Sequence, residues 1–276
     1  CSNTSLFNSP IGMPLQFQAR QLGCGMPKSK SSPQRKAALP ILLYANTRTC
    51  SDQLYLGRFG VPDAFISFKK GAKSYAVLSQ LEFSRGLKVS AFDTILSLEE
   101  WIGKARVELG RSDVGVAEVI ATLGKAYRMS GFRVSGDFPA WLAFELGELG
   151  IEVQATKGSI FPAREKKSEE ELLFLKEGNQ CSAAGIRAAE KALRAATIKR
   201  GYLYLDGKRL TSERLKEAIE IACLQAGAVS LDTIAAGGDQ ACDPHCGGSG
   251  PIRANELIIV DVFPRVSRTG YHGDMT

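Results

Sequence analysis

No acidic side chain occurs in the first 51 residues of this 276-residue chain, although six basic ones do: Arg20, Lys28, Lys30, Arg35, Lys36 and Arg48. The formal charge of +6 arises there, and the rest of the chain carries 29 basic against 29 acidic side chains. A balanced body excludes the basic stripe that phosphate backbones need, so no nucleic-acid partner is expected. No apolar run is long enough to span a membrane or to form a secretory core, and no internal repeat is visible. The seven cysteines include no Cys-x-x-Cys pair. Their odd number and scattered spacing exclude a disulfide scaffold, so Cys50, Cys181 and Cys223 read as buried small hydrophobes in a reduced, cytoplasmic protein. Gly247-Gly-Ser-Gly250 lacks the lysine and strand-to-helix context of a phosphate loop and reads as a flexible loop.

Residues 1–38 have little periodic apolar pattern and are rich in Ser, Pro, Gly and Gln, which predicts a disordered tail. Its lack of acids resembles an organelle transit peptide. The preferred alternative is that Met26 is the natural start and residues 1–25 are not native.

From Leu39 onward, short apolar runs alternate with helical stretches. Ile41–Tyr44, Ala64–Phe68, Ser74–Leu78, Phe92–Leu96 and Ile151–Val153 read as strands. Val114–Ser130 and Phe138–Leu149 read as helices stopped by Gly131 and Gly150. This predicts an α/β domain over residues 39–165, with a mixed sheet and helices, and a boundary near Pro162–Lys167. A second unit, 166–276, opens with the capping box Ser168-Glu-Glu-Glu171. A long helix follows, with an apolar stripe of Leu172, Leu175, Ala183, Ile186, Ala189 and Leu193. Tyr202–Leu205 with the Asp206-Gly207 turn suggests a small hairpin, and Ser212–Ala226 a further helix.

The chemistry is concentrated at the end. Leu257-Ile-Ile-Val260 reads as a buried strand that delivers Asp261 to an interior. Pro264, Gly270 and Gly273 suit a turn whose returning strand brings Asp274 close. Two carboxylates on adjacent strands repel unless a cation neutralises them, so the pair points to a metal. The competing reading is a loop with two surface acids. Cys242, His245 and Cys246 offer a second metal cluster, with Cys223 or His272 as a fourth zinc ligand, but without paired Cys knuckles.

Gly270-Tyr-His-Gly-Asp274-Met-Thr276 resembles the G-Y-x-x-D-x-T signature of the pita-bread metallopeptidases, which include Xaa-Pro aminopeptidases, prolidases, methionine aminopeptidases and creatinase. The resemblance implies a creatinase-type N-terminal α/β domain followed by the first part of an α+β pita-bread catalytic domain. It implies two divalent cations, manganese or cobalt with zinc as an alternative, chelated by Asp261 and bridged by Asp274. It places His245 at the substrate as the catalytic residue that stabilises the transition state, with Thr276 and His272 as neighbouring candidates. The substrate implied is a peptide with an N-terminal Xaa-Pro bond, and the oligomer a dimer.

Two departures accompany it. Asp261 and Asp274 stand 13 positions apart, two more than is usual in the family. Side chains alternate along a strand with period two, so an even insertion keeps both carboxylates on one face. The family's later His and two Glu ligands have no counterpart before Thr276. The chain therefore reads as the front part of a longer protein, inactive alone. A peptide-binding scaffold without catalysis and a creatinase-like, metal-free C–N hydrolase are the other functions the fold supports. Retention of both aspartates argues against each.

Overall fold

The computed structural model describes residues 38–276, so the tail expected over residues 1–38 lies, apart from Ala38, outside the described residues. The remainder is one compact unit. Its first half is built on β1 (Ile41–Ala45), α1 (Ser51–Gly57), β2 (Phe65–Lys70), β3 (Lys73–Leu78), α2 (Gln80–Val89), β4 (Thr94–Ser97), α3 (Leu98–Leu109), α4 (Val116–Ala126), β5 (Gly131–Val134), α5 (Ala140–Glu148) and β6 (Glu152–Ala155). The six strands form one mixed sheet in the order β4-β3-β2-β1-β5-β6. β1 and β2 pair antiparallel, with Leu43 opposite Ser67, whereas β5 runs parallel to both β1 and β6.

Alternation along these strands feeds two cores. Leu42, Ile66 and Phe68 pack with Trp101, Ile120, Leu123 and Leu142 of the helices on one face. Ile41, Leu43, Phe65 and Leu78 pack with Leu56, Phe59, Phe92 and Phe161 on the other. A central strand covered on both faces is apolar at successive positions, which is why Ile41-Leu-Leu43 has no polar member. The expected mixed α/β sheet with helices is found. Helices α1, α2 and α3, which carry many polar residues, were not legible as periodic patterns.

A single 3-10 turn, Pro162–Glu165, leads to α6 (Glu169–Ala195). The capping box forms as expected: Glu171 N donates to Ser168 Oγ at 3.2 Å and Ser168 N to Glu171 Oε2 at 2.9 Å. β7 (Thr197–Lys199), β8 (Tyr202–Leu205) and β9 (Lys208–Arg209) make a small antiparallel sheet before α7 (Ser212–Gln225). β10 (Ala228–Val229) pairs with β13 (Arg265–Val266), and β11 (Ile234–Gly237) with β12 (Ile258–Asp261). Among the described residues no helix is long and apolar enough to cross a membrane.

The buried face of α6 differs from the apolar stripe expected. Leu172 and Leu173 are 48% and 67% exposed, and the buried face is Gly178, Cys181, Ser182, Gly185, Ala189 and Ala192. Side-chain size explains this: a Cβ added at Gly185 would stand 2.9 Å from Cys223 Sγ and 3.0 Å from Ile219 Cγ2 and Val262 Cγ1. α6 thus meets α7 and the strand beyond it through small residues that permit close approach; of the expected stripe, Ala189 is buried and Ile186 and Leu193 pack against the core, whereas Leu172 is left outside. Cys50, Cys181 and Cys223 are buried thiols, as expected, and burial pushes the pKa of each up.

Candidate active site

The ladder that follows β12 has a single register. Val262 and Met275 exchange both backbone hydrogen bonds, at 3.0 and 3.1 Å; Gly273 N donates to Pro264 O at 3.0 Å, and Val266 N to Tyr271 O at 2.8 Å. Bridges join Val262 to Met275 and Arg265 to His272. Every pair sums to the same number, so no bulge intervenes between the two aspartates. Pro264 accepts from Gly273 but has no N–H to return, so that pair keeps one of its two ladder bonds, and Gly270 turns the chain at φ +73°.

This register settles which face each side chain takes. Asp261 stands opposite Thr276, whose Oγ1 donates to Asp261 Oδ1 at 2.8 Å. Asp274 is two residues before Thr276 and opposite Phe263, so both carboxylates lie on one face as a diagonal pair, roughly 7–8 Å apart at the backbone. At a separation of 13 positions this register keeps both aspartates on the same face. Asn179 Oδ1 on α6 accepts from Asp274 N at 3.2 Å and fixes the backbone there.

The two faces of the hairpin are unlike. Val262, Pro264 and Val266 are buried, and Gly273 packs backbone to backbone on α6: a Cβ on Gly178 would lie 2.6 Å from Gly273 N and from His272 C and O. The opposite face carries Leu257, Ile259, Asp261, Phe263 and Arg265. Leu257 is 86% and Ile259 41% exposed, Asp261 is half-buried and Asp274 exposed. The expectation of a buried strand delivering Asp261 to an interior is therefore corrected. α6 and α7 cover one face of β12, and among the described residues nothing covers the other, so Asp261 is delivered to an open face and not to an interior.

Tyr271 belongs to the packed side. Its hydroxyl donates to Glu171 Oε1 at 2.8 Å, tying the hairpin to the first turn of α6. Burial pushes the Tyr271 hydroxyl's pKa up, and the adjoining carboxylate adds to this. Burial alone would raise Glu171, but hydrogen bonds from Ser168 and Tyr271 outweigh it and hold the carboxyl below its ordinary range. Tyr271→Phe is expected to cost about 1–3 kcal/mol, the desolvation cost of an unmatched buried oxygen. A group with a depressed folded pKa contributes stability above its unfolded pKa and loses it as pH falls through the folded one. The variant's deficit should accordingly be full at neutral pH, begin to shrink near the ordinary glutamate pKa of ~4.3 and be lost as pH falls further through the folded pKa below it. Thermal melts of both proteins from neutral pH down into that acid range measure it.

His245 follows the 3-10 turn Gly238–Cys242 and is exposed, its backbone N donating to Asp243 Oδ1 at 3.0 Å. Among the described residues no hydrogen bond links it to either aspartate. Two residues later, Gly247 O accepts from Ala235 N at 3.2 Å, so the His245 loop flanks β11, which separates it from Asp261. The glycine run is not loose. A Cβ on Gly248 would lie 2.6 Å from Ala235 C, and Lys216 Nζ donates to Gly248 O at 3.0 Å, so the expected flexible loop is a docked segment that needs glycine at 248 for close approach. His272 is exposed opposite Arg265 and borders a cavity of about 200 Å³ with Arg164, Glu171 and Tyr271. No three His, Cys, Asp or Glu side chains gather among the described residues, so Cys242, His245 and Cys246 do not assemble with Cys223, which is buried in α7.

A hairpin bearing two aspartates on one face, closed by Thr276 and seated on a helix, can now be set beside known proteins. Residues 174–276 match the model of metallopeptidase family M24. Comparison with curated protein sequences gives no match. Among solved structures, the X-Pro aminopeptidase of Thermotoga maritima superposes with a TM-score of 0.64 at 13% identity, covering 86% of this chain and 60% of that one. The Xaa-Pro dipeptidase of Bacillus anthracis gives 0.64 at 17%, over 85% and 58%, and the prolidase of Pyrococcus horikoshii 0.62 at 16%, over 86% and 58%. These likenesses show the fold. The chain spans about three fifths of the length of these structures, and the segment that matches the M24 model contains the entire aspartate hairpin.

Sequence reading had not found Gly178, Asn179 and Ser182, which seat that hairpin. Their signal was the recurrence of small residues at Gly178, Ser182 and Gly185, one turn of helix apart.

Proposed function

We propose that the protein is a metal-dependent peptidase of the Xaa-Pro aminopeptidase or prolidase type, in which Asp261 and Asp274 hold divalent cations. The same-face register of the two aspartates carries this reading. The donor set fits: hard carboxylate oxygens suit divalent cations such as manganese, cobalt or zinc. Asp261 has one oxygen engaged by Thr276 and the other available, and Asp274 has its backbone, not its side chain, tied to α6.

Bound cations of this kind acidify water and polarise a peptide carbonyl. The chain's own contribution is positional. Thr276 orients Asp261, Asn179 and Gly178 set the height of Asp274 above the sheet, and Tyr271 locks the far end of the hairpin. In this proposal Asp261 and Asp274 would be the residues of this chain that hold the cations. His245 reaches the substrate from beyond β11 as a hydrogen-bond donor to developing charge. The assembled enzyme is proposed to be a cytoplasmic dimer, with the N-terminal α/β domain shaping the pocket.

The 276-residue chain alone is expected to show no turnover of a Xaa-Pro peptide with manganese, because two carboxylates leave most coordination positions to water. Release of the N-terminal residue, followed by chromatography, tests this. Turnover at enzymatic rates would show that the chain supplies further ligands and that this assignment is wrong.

A further inference from the structure

The open face of the hairpin does not end at the aspartates. Arg265 lies on it four residues after Asp261, about 13 Å along an extended strand. It opens into a cleft of about 540 Å³ between the hairpin turn and the Thr47–Pro62 segment of the first domain. Four arginines line that cleft, Arg48, Arg58, Arg265 and Arg268, and no carboxylate does. Arg58 pairs with Glu170, and Arg268 Nη2 with Glu177 at 2.7 Å. Among the described residues neither Arg48 nor Arg265 pairs with an acid. Arg265 is half-buried, and its one hydrogen bond is from Nη2 to Thr47 O at 3.3 Å. Desolvation and the nearby Arg48 charge both push its pKa down, as expected of two cations held together without an anion.

The guanidinium is fixed in place by its surroundings. A Cβ on Gly270 would meet Arg265 Nη2 at 2.7 Å and Leu54 Cδ2 at 2.8 Å, so the turn glycine forms the slot in which Arg265 lies. Leu54, Val229 and Leu231 add accessible apolar surface to its other walls, beside Thr47, Ser267 and Thr269. Residues 1–37 contain no Asp or Glu, so they bring no carboxylate of their own.

We propose that this cleft is a binding site for an acidic peptide segment, a carboxylate engaging Arg48 and Arg265 while a neighbouring apolar side chain lies against Leu54, Val229 and Leu231. Guanidinium forks match carboxylate and phosphate equally. The apolar walls favour the peptide, since a simple anion would leave them in water. The proposal stands on the cleft and requires no metal and no catalysis.

Fluorescence anisotropy of a labelled hexapeptide alternating glutamate and leucine tests it on the 276-residue chain in metal-free buffer. Saturable binding is expected, with the glutamine-for-glutamate peptide weaker by about tenfold or more, as loss of charge-assisted hydrogen bonds requires. The Arg48→Gln, Arg265→Gln double variant should lose binding to a similar degree, with an unchanged thermal midpoint. Should Arg265→Gln lower that midpoint, the exposed Arg48→Gln alone is read, and a several-fold loss is expected with recovery in Arg48→Lys. Absence of binding, equal binding of the glutamine peptide, or full affinity in Arg48→Gln would overturn the proposal. So would displacement of the peptide by inorganic phosphate at concentrations no higher than the peptide needs, since that would make the cleft a simple-anion site.

Discussion

Asp274→Asn is expected to reduce turnover of the assembled peptidase on a Xaa-Pro peptide below detection, whereas His245→Ala leaves a measurable rate. The substitution is isosteric, and the contact that seats residue 274 is its backbone N on Asn179, which asparagine preserves. What changes is one negative charge on the face shared with Asp261. Without it the proposed cation site would lose one of the two anionic donors this chain supplies and would hold metal more weakly. His245 lies beyond β11 and is tied to the fold only through its own loop, so its removal leaves the aspartate face intact. A loss of about a hundred- to a thousand-fold, the size of one missing donor to developing charge, is expected there. Kinetics of both variants alongside a thermal melt separate these outcomes from misfolding. Comparable rates in the two would contradict the roles assigned.

Gly273→Ala should be among the most destabilising single substitutions in the second half of the chain. The added methyl would drive into the Gly178 carbonyl and reach 2.5 Å from Ser182 Oγ. Most of the atoms it meets are backbone within a 27-residue helix, so they cannot step aside as a side-chain tip would. Overpacking in a well-filled core costs about 1–3 kcal/mol, and the upper end applies here. At a midpoint shift of about 2–4 °C per kcal/mol, melting should fall by about 6–12 °C. Gly103→Ala in α3 is the control: no atom lies within 4 Å of the added Cβ, so relief of glycine's backbone entropy should raise stability by about 0.5–1 kcal/mol. Equal effects at the two positions would mean that the hairpin does not bear on α6 as closely as described.

These two cases also show what the sequence makes legible. The capping box at Ser168, the hairpin at Tyr202–Leu205 and the central strands are readable because each is specified by local chemistry: a side chain reaching a free amide, a turn dipeptide, an apolar run. The common face of Asp261 and Asp274 is readable for a similar reason, because strand parity survives an even insertion. Burial is less so. Leu257-Ile-Ile-Val260 has the composition of a doubly covered strand, yet only its even-numbered face is packed, and composition does not say which layers are present. Leu172 misleads in the same way on α6, where contact distance selects glycine, serine and alanine at the closest approach. The Arg48 and Arg265 cleft joins positions 217 residues apart and leaves no local trace in the sequence.

The central claim is that Asp261 and Asp274 together form a cation site on the open face of the hairpin. Manganese titration of the 276-residue chain, followed by water-proton relaxation, measures it without any need for turnover. A single weak saturable site is predicted, with dissociation near or above about 10⁻³ M as befits two carboxylates and solvent, and lost in both Asp261→Asn and Asp274→Asn while their melting curves stay unchanged. Manganese binding that persists undiminished in both variants would place the site elsewhere and contradict the account.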